Sequence, residues 1–307
     1  MDRLILPVLT VAAAPVVAEL AAQPGIEVVA VAVDLGHDDG LDALRDAALA
    51  AGALRCHVVD RRDALAEGVL WPALRAGALV APGAPIHTAL SMPVVAEAIA
   101  EVARFEHASG AAVWVETLPD RQRLRALLGA VMPGAGLVAA TRPPAPAEVR
   151  NLWASVAPAG GDEPARPPRR RGRITVAVGF ERGMPVRLNG VPMTPVELVD
   201  SLQTLAGDHG VAPWEVRDPD TGQVWTVRAP AARVLAHATA VITARSVDPP
   251  TAGLLAELAA AYAGLVRDGA WHSPARAGID AFVDRVLAPA AGEVTVHIED
   301  GRIEGDA

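Results

Sequence analysis

From Leu4 to Ala139, short apolar β-branched runs alternate with segments of helical periodicity, and few folds accommodate that alternation. Leu4 to Leu9 reads as a buried strand. Ala13 to Ala22 reads as a helix stopped by Gln23-Pro24-Gly25. Glu27 to Val33 is a second β-branched run, and Asp39 to Ala51 is helical up to Gly52. Arg55 to Val59 is a third strand. Helices are predicted over Asp63 to Ala78 and Ser91 to Ala108, then a strand at Ala112 to Glu116, a helix at Asp120 to Gly129 and a strand near Leu137 to Ala139. Strands that are apolar throughout are buried on both faces. The expectation is therefore an α/β domain with a parallel sheet, helices on both sides and right-handed crossovers. Ligands of such sheets sit at the carboxyl ends of the strands.

The pattern stops at Arg142-Pro143-Pro144. The segment up to Gly172 is rich in Pro, Gly, Ala and Arg, with a short helix expected around Ala147 to Ser155 and an exposed linker over Pro158 to Arg173. The run Arg169-Arg170-Arg171 with Arg173 reads as solvated linker rather than as a nucleic-acid contact. Strands then recur at Arg173 to Phe180 and Met184 to Leu188, with a turn at Asn189-Gly190. Thr194-Pro195-Val196-Glu197 carries the signals of a helix start, and that helix is predicted to reach about Ala206. Strands at Trp214 to Arg217 and Val224 to Arg228 flank a turn. Helices follow at Pro230 to Ala244, Pro249 to Arg267 and Pro274 to Leu287, and a last strand at Glu293 to Ile298 precedes a turn at Asp300-Gly301. This order suggests an α+β unit. The expected division is 1–141, a linker at 142–172, and 173–307.

Composition removes several classes of function. A net charge of -9 and a pI near 5.4 argue against a general nucleic-acid binder. One cysteine leaves no intramolecular disulfide and no cysteine-rich zinc site. Cys56 falls in a predicted strand, where a buried, inert thiol is the default. The histidines show no metal-ligand spacing, and no metal site is expected. All 27 basic residues are arginine, which removes Schiff-base chemistry and lysine phosphate clamps. No apolar run is long enough to cross a bilayer, and no cleavable leader opens the chain, so a cytoplasmic protein without membrane contact is expected.

A resemblance then runs collinearly along most of the chain. Val178-Gly179-Phe180-Glu181-Arg182-Gly183-Met184-Pro185-Val186, Thr194-Pro195-Val196-Glu197-Leu198, Leu205 to Val211, Leu265-Val266-Arg267-Asp268-Gly269 and Trp271-His272-Ser273-Pro274 are similar to segments of the argininosuccinate synthase family. So are Val33-Asp34-Leu35-Gly36-His37, Trp71-Pro72-Ala73-Leu74, Thr88 to Pro93 and Asn151-Leu152-Trp153. The resemblance implies an N-type ATP-pyrophosphatase-like (Rossmann-like) domain followed by an α+β synthetase domain. It implies ATP with Mg²⁺ as cofactor. The family reaction adenylates the ureido oxygen of citrulline, releases pyrophosphate, and lets the aspartate amine displace AMP, as a step of arginine biosynthesis.

Residue by residue, the resemblance weakens at the site. The family's pyrophosphate loop reads Ser-Gly-Gly-Leu-Asp-Thr-Ser, and Val8-Leu9-Thr10-Val11-Ala12-Ala13-Ala14 stands in its place, with no glycine and one hydroxyl. A second family segment rich in glycine, with a lysine, is replaced by Glu116 to Arg125, where Asp120 reads as a helix cap and Arg121, Arg123 and Arg125 as a solvated face. Ala84 and Ala236 replace tyrosines, Met92 replaces an arginine, and Arg228 replaces the glutamate that binds citrulline. That last change reverses a charge, which repels a cationic amino group and favours an anionic one. The family's C-terminal extension, used in tetramer packing, is missing after Ala307.

What remains as candidates is Thr10 and Asp34 for a residual nucleotide cleft, and Thr88, Gln122, Asn151, Ser155 and Arg228 for a substrate; no catalytic residue is assigned. Each has a plainer reading. Thr10 caps the next helix, Asp34 closes a turn before Gly36, Thr88 is a loop hydroxyl, and Asn151 and Ser155 cap a short helix. His272 reads as a packed turn residue before it reads as a base. The expected function is an argininosuccinate synthase-like protein, a pseudoenzyme lacking the ligase activity. The alternatives are a repurposed ATP-dependent ligase acting on another, anionic substrate in specialised metabolism, and a non-catalytic partner of an intact homologue, as a homo-oligomer or hetero-complex.

Overall fold

Five parallel strands, β1 (Asp2–Val8), β2 (Ile26–Asp34), β3 (Arg55–Asp60), β4 (Gly110–Val113) and β5 (Gly136–Ala139), form a sheet in the order β3-β2-β1-β4-β5. The structure is a computed structural model describing residues 2–36, 40–80, 86–115, 118–140, 149–159, 172–217 and 222–305. Along β2, Val29, Val31 and Val33 enter one core while Val28, Ala30 and Ala32 enter another. That is the period of a strand with both faces covered. Helices α1 (Ala14–Ala21) and α2 (Leu41–Ala50) close one face with Val16, Val17, Leu20, Leu44 and Ala48.

The other face is closed by α3 (Arg62–Leu65), a π-type stretch (Ala66–Leu70), α4 (Trp71–Arg75) and α5 (Met92–Phe105). The single helix expected over Asp63 to Ala78 is thus one path in three segments, α-helical, π-type and α-helical again. α6 (Leu118–Val131) packs on α5 through Leu124, Leu127 and Leu128, the i, i+3, i+4 stripe of an amphipathic helix.

Two antiparallel sheets follow. One is made by β6 (Val149–Arg150), β7 (Ser155–Pro158), β11 (Trp214–Arg217) and β12 (Val224–Arg228), in the order β11-β12-β7-β6. The other is made by β8 (Ile174–Glu181), β9 (Met184–Leu188), β10 (Val191–Pro192), β13 (Gly292–Glu299) and β14 (Arg302–Gly305), in the order β10-β9-β8-β13-β14. Asn189 (φ 51) and Gly190 (φ 78) make the tight turn between β9 and β10. β14 was not foreseen; it pairs with the end of β13 across the Asp300-Gly301 turn.

Helices α7 (Pro195–Asp208), α8 (Pro230–Ser246), α9 (Pro249–Arg267) and α10 (Pro274–Val286) complete this half. α7 starts with the expected capping box, in which the Thr194 side chain accepts from the Glu197 amide and the Glu197 carboxylate accepts from the Thr194 amide. The side chains of Asp248 and Ser273 cap α9 and α10 by accepting from the amides of Thr251 and Arg276. One apolar core runs from the parallel sheet through Trp153 and Val156 to Val178, Leu202, Leu235 and Val296.

The expectation of a short helix around Ala147 to Ser155 is corrected. Its described part is a hairpin, with Val149 and Arg150 paired to Val156 and Ser155. Pairing of β7 with β12 overrides the local helix reading. The linker expected over Pro158 to Arg173 lies mostly outside the described residues, and its first residue, Pro158, ends β7.

The hairpin turn joins the two halves. Asn151 Nδ2 donates to the His87 carbonyl at 3.2 Å and to Ser91 Oγ at 2.7 Å. Its Oδ1 accepts from the amides of Trp153 at 2.9 Å and Ala154 at 2.8 Å. The Leu152 amide donates to the Leu35 carbonyl at 2.5 Å. Gly36, at φ +83, makes room, since a Cβ there would lie 2.8 Å from Leu152 Cβ. At the opposite end of the sheet, the Glu106 carboxylate, 1% exposed, accepts from Arg3 at 3.2 Å and Arg55 at 3.1 Å and meets His57 Nε2 at 2.7 Å. Burial alone pushes this carboxyl up, but the hydrogen bonds and charges of His57 and Arg55 win and hold it below the usual range.

Two outcomes follow from these clusters. Asn151→Ala strands two amides and the Ser91 hydroxyl, so it should cost at least about 3 kcal/mol at roughly 1–3 kcal/mol per buried orphan, read as a lower urea midpoint. Glu106→Gln should cost about 1–3 kcal/mol at neutral pH. Because the folded carboxyl is the stronger acid, that contribution is complete above the unfolded value of about 4.3 and disappears as pH falls through the depressed folded one. Urea titrations at neutral pH and below pH ~4 should show the gap between variant and parent closing on the acid side.

Candidate functional site

The topology names the place where a ligand would sit. From β1 the chain builds outward to β2 and β3, then crosses to β4 on the other side, so the strand order reverses between β1 and β4. The crevice at the carboxyl ends of these strands is the binding position of an open parallel sheet.

The connection from β1 to α1 forms one lip of that crevice. Thr10 is extended (φ -142, ψ 165) and its hydroxyl accepts from the Ala12 amide at 3.2 Å. The amide of Ala13 goes to the Thr10 carbonyl, that of Ala14 goes to the Val11 carbonyl, and Pro15 has none. No residue from Val8 to Ala21 has a positive φ. Thr10 therefore sits where expected and acts as a cap to a short 3-10 turn (Val11–Ala13) leading into α1.

Asp34 ends β2. Its Oδ1 accepts from the Gly36 amide at 2.9 Å, and its Oδ2 lies 3.4 Å from Arg62 Nε. Both carboxylate oxygens thus have protein partners, in an Asx turn and an ion pair. Arg62 is also bonded to Asp60, whose carboxyl is held low by these bonds from Arg62.

Beyond β4 the structure departs from the sequence reading. Arg121 Nε donates to the Val115 carbonyl at 2.9 Å and its guanidinium lies 5.2 Å from the Trp114 ring centroid. Arg123 is buried, bonded to Asp120 at 2.6 Å and to the Arg267 carbonyl at 2.6 Å. The solvated arginine face is therefore corrected to one exposed residue, Arg125. Asp120 is not a cap, because α6 begins at Leu118 and Asp120 pairs within its first turn. Gln122 points to solvent and leaves the candidate set. Arg121, read from the sequence as part of that solvated face, holds a charge beside the switch point. The only signal for it was an arginine following a predicted strand end.

Thr88 is half-buried at the start of a 3-10 turn (Ala89–Ser91), where its carbonyl accepts from the Ser91 amide. His87 beside it is buried edge-on against Trp214 at 5.4 Å, and burial lowers its pKa to about 4, so the ring is neutral. Asn151 is a buried structural junction, with its amide group committed to the bonds given above. Neither it nor Ser155 caps a helix.

Ser155 and Arg228 are brought together. They are register partners on β7 and β12, and Arg150 is the partner of Ser155 on β6. Register partners share a face, so Arg150, Ser155 and Arg228 form one row. The opposite face carries Val156 and Val227 into the core. Each member of the row has interactions within the chain.

Several remaining expectations fall out simply. His272 Nε2 lies 3.8 Å from Glu97 Oε1 at the surface. Cys56 is half-buried, and burial raises its thiol pKa, which lowers its reactivity. Among the described residues, no group of three or more His, Cys, Asp or Glu side chains is placed to hold a metal ion, and no helix is long and apolar enough to cross a membrane. His37, Ala84, Thr117 and Arg169 to Arg171 lie outside the described residues.

Comparison with known proteins agrees with this architecture. Residues 10–117 match the model of the argininosuccinate synthase N-terminal HUP domain, and residues 162–305 match that of the argininosuccinate synthase C-terminal domain. The argininosuccinate synthase of Desulforamulus reducens is 27% identical over 94% of this chain and 82% of its own length. Those of Pelotomaculum thermopropionicum and Moorella thermoacetica are each 28% identical over 90% of this chain, covering 80% and 78% of their own lengths. With both domain models matched in order and the parallel-sheet fold in place, the chain belongs to the argininosuccinate synthase family.

Proposed function

We propose that this member of the family has lost citrulline–aspartate ligation and that its cleft takes an anionic small molecule. The connection from β1 to α1 carries the first half of this reading. A triphosphate is held by converging backbone amides in a nest, which needs alternating left- and right-handed residues, or by free amides at a helix N-terminus. Here the φ angles from Val8 to Ala21 include no positive value, and the amides of Ala12, Ala13 and Ala14 are already given away. Pro15 contributes none, and the chain has no lysine to replace them. These residues do not fit ATP with Mg²⁺, and Asp34 is engaged by Gly36 and Arg62.

The second half of the reading rests on charge. Arg121 stands at the end of β4, and Arg228 lies in the Arg150–Ser155–Arg228 row. Guanidinium groups favour carboxylates and disfavour the ammonium group of citrulline. The family relationship supplies the scaffold, and the site residues decide the chemistry.

The full-length protein incubated with citrulline, aspartate and MgATP should form no argininosuccinate and release no AMP above background. Millimolar MgATP should leave the melting temperature unchanged. A ligand at a hundred times its dissociation constant adds about 2.7 kcal/mol, so saturable ATP stabilisation or turnover at biosynthetic rates would overturn the loss of ligase activity. For the anionic cleft, succinate should stabilise the parent protein, and Arg228→Glu should weaken that effect at least about tenfold, the loss of one charge-assisted contact. Equal succinate affinity in the two proteins would remove Arg228 from the site.

A further inference from the structure

β3 lies at the edge of the parallel sheet, and among the described residues only β2 pairs with it. A parallel strand turns alternate residues to its neighbour. The Leu54 amide donates to the Val28 carbonyl at 2.8 Å, so Leu54, Cys56 and Val58 turn their backbone groups to β2, and Arg55, His57 and Val59 turn theirs outward. Proteins usually blunt such an edge with Pro, a bulge or a fixed charge in mid-strand. Between Arg55 and Asp60, β3 has none of these: the run is Cys56-His57-Val58-Val59, in unbroken register with β2.

The flanks of this edge are apolar. Of seven exposed large apolar side chains among the described residues, four stand here. Val58 is on β3, Leu54 directly precedes it, and Leu49 is on α2, which packs on β3. Phe105, 71% exposed at the end of α5, sets its ring edge-on to His57 at 5.8 Å. Single apolar side chains on a surface are ordinary, but four around one open strand mark a contact. The outward amides and carbonyls select another strand as the occupant.

The charges select a second copy of this chain. Two β3 strands related by a two-fold axis run antiparallel, and one residue then faces its own copy at the axis. With Val58 on the axis, His57 faces Val59 of the partner subunit and Cys56 faces Asp60 of the partner subunit. That exposed carboxylate meets Arg45, an exposed residue of α2 beside Cys56. On the other face, Arg55 meets Arg61 of the partner subunit, and Arg61 is paired with the exposed carboxylate of Glu101. Exposed Arg55 thereby gains a second carboxylate next to Glu106. Moving the axis to His57 would instead set Arg55 against Val59 of the partner subunit and Leu54 against Asp60 of the partner subunit, which buries charge on apolar surface. The Val58 register puts apolar on apolar and charge beside countercharge.

We propose that β3 is a self-association edge, through which two copies of the chain join their parallel sheets antiparallel with Val58 at the two-fold axis. The proposal does not depend on the fate of the ligase reaction.

Sedimentation and cross-linking of the full-length protein test it. The parent should sediment at tens of micromolar as a dimer or a multiple of one. Val58→Lys changes an exposed position and sets two like charges at the axis. It should raise the dissociation constant at least about tenfold and leave the circular dichroism unchanged. In a Cys56→Ser background, Val58→Cys sets two thiols directly opposite and should give a covalent dimer on mild oxidation, whereas Leu54→Cys should not. If Val58→Lys fails to fold, the cross-linking decides alone. A monomeric parent at that concentration would overturn the proposal, as would an assembly indifferent to Val58→Lys. Cross-linking through Leu54→Cys in preference to Val58→Cys would overturn it too, by showing that the copies meet elsewhere.

Discussion

Burial of both faces of β2 is the constraint from which most of this structure follows. Val29, Val31 and Val33 require cover on one side and Val28, Ala30 and Ala32 on the other. A parallel sheet with helices on both faces satisfies both demands, and right-handed crossovers then place every strand's carboxyl end at one edge. The reversal of strand order between β1 and β4 opens a crevice there whatever residues line it. The position of the site is thus a property of the core, whereas its chemistry depends on a handful of loop residues that the core does not specify.

The second dependency is the junction at Asn151. The β6–β7 turn reaches the carboxyl edge of the parallel sheet and is held there by the Asn151 amide group and the Leu152–Leu35 bond. Gly36 is needed because Leu152 approaches it too closely for a Cβ. A polar residue that seemed a substrate ligand therefore spends its hydrogen bonds on architecture. The same is true of Asp34 and of Thr10. Buried or half-buried polar groups are mostly paired, and at these three residues the pairing is with the chain itself.

A family's fold and the residues of its site are physically separable. Core packing tolerates substitution as long as pattern and volume persist. A phosphate nest does not, since it depends on backbone angles that Leu9 and Val11 cannot readily adopt. The segments that match the family lie in strands, caps and helix starts such as Thr194 to Leu198. Ala236, with its small side chain, is part of the lining of an open volume between α4, α8 and α9.

Local pattern was enough to read the alternation of strands and helices up to Ala139, the cap at Thr194, and the missing glycines after β1. Each depends on residues adjacent in the chain or one helical turn apart. It was not enough for the hairpin at Val149 to Pro158, which exists because β12, some seventy positions later, supplies its partner. The burial of Arg123 could not be read either, because its acceptors are Asp120 and the Arg267 carbonyl on a distant helix. The sequence by itself determined the fold class and the lack of glycine between Val8 and Ala14, since periodicity and glycine content are local. Only the tertiary structure decided which polar residues are satisfied within the chain, which form a row, and where a cavity is left, because hydrogen-bond partners and packing are set by residues far apart in sequence.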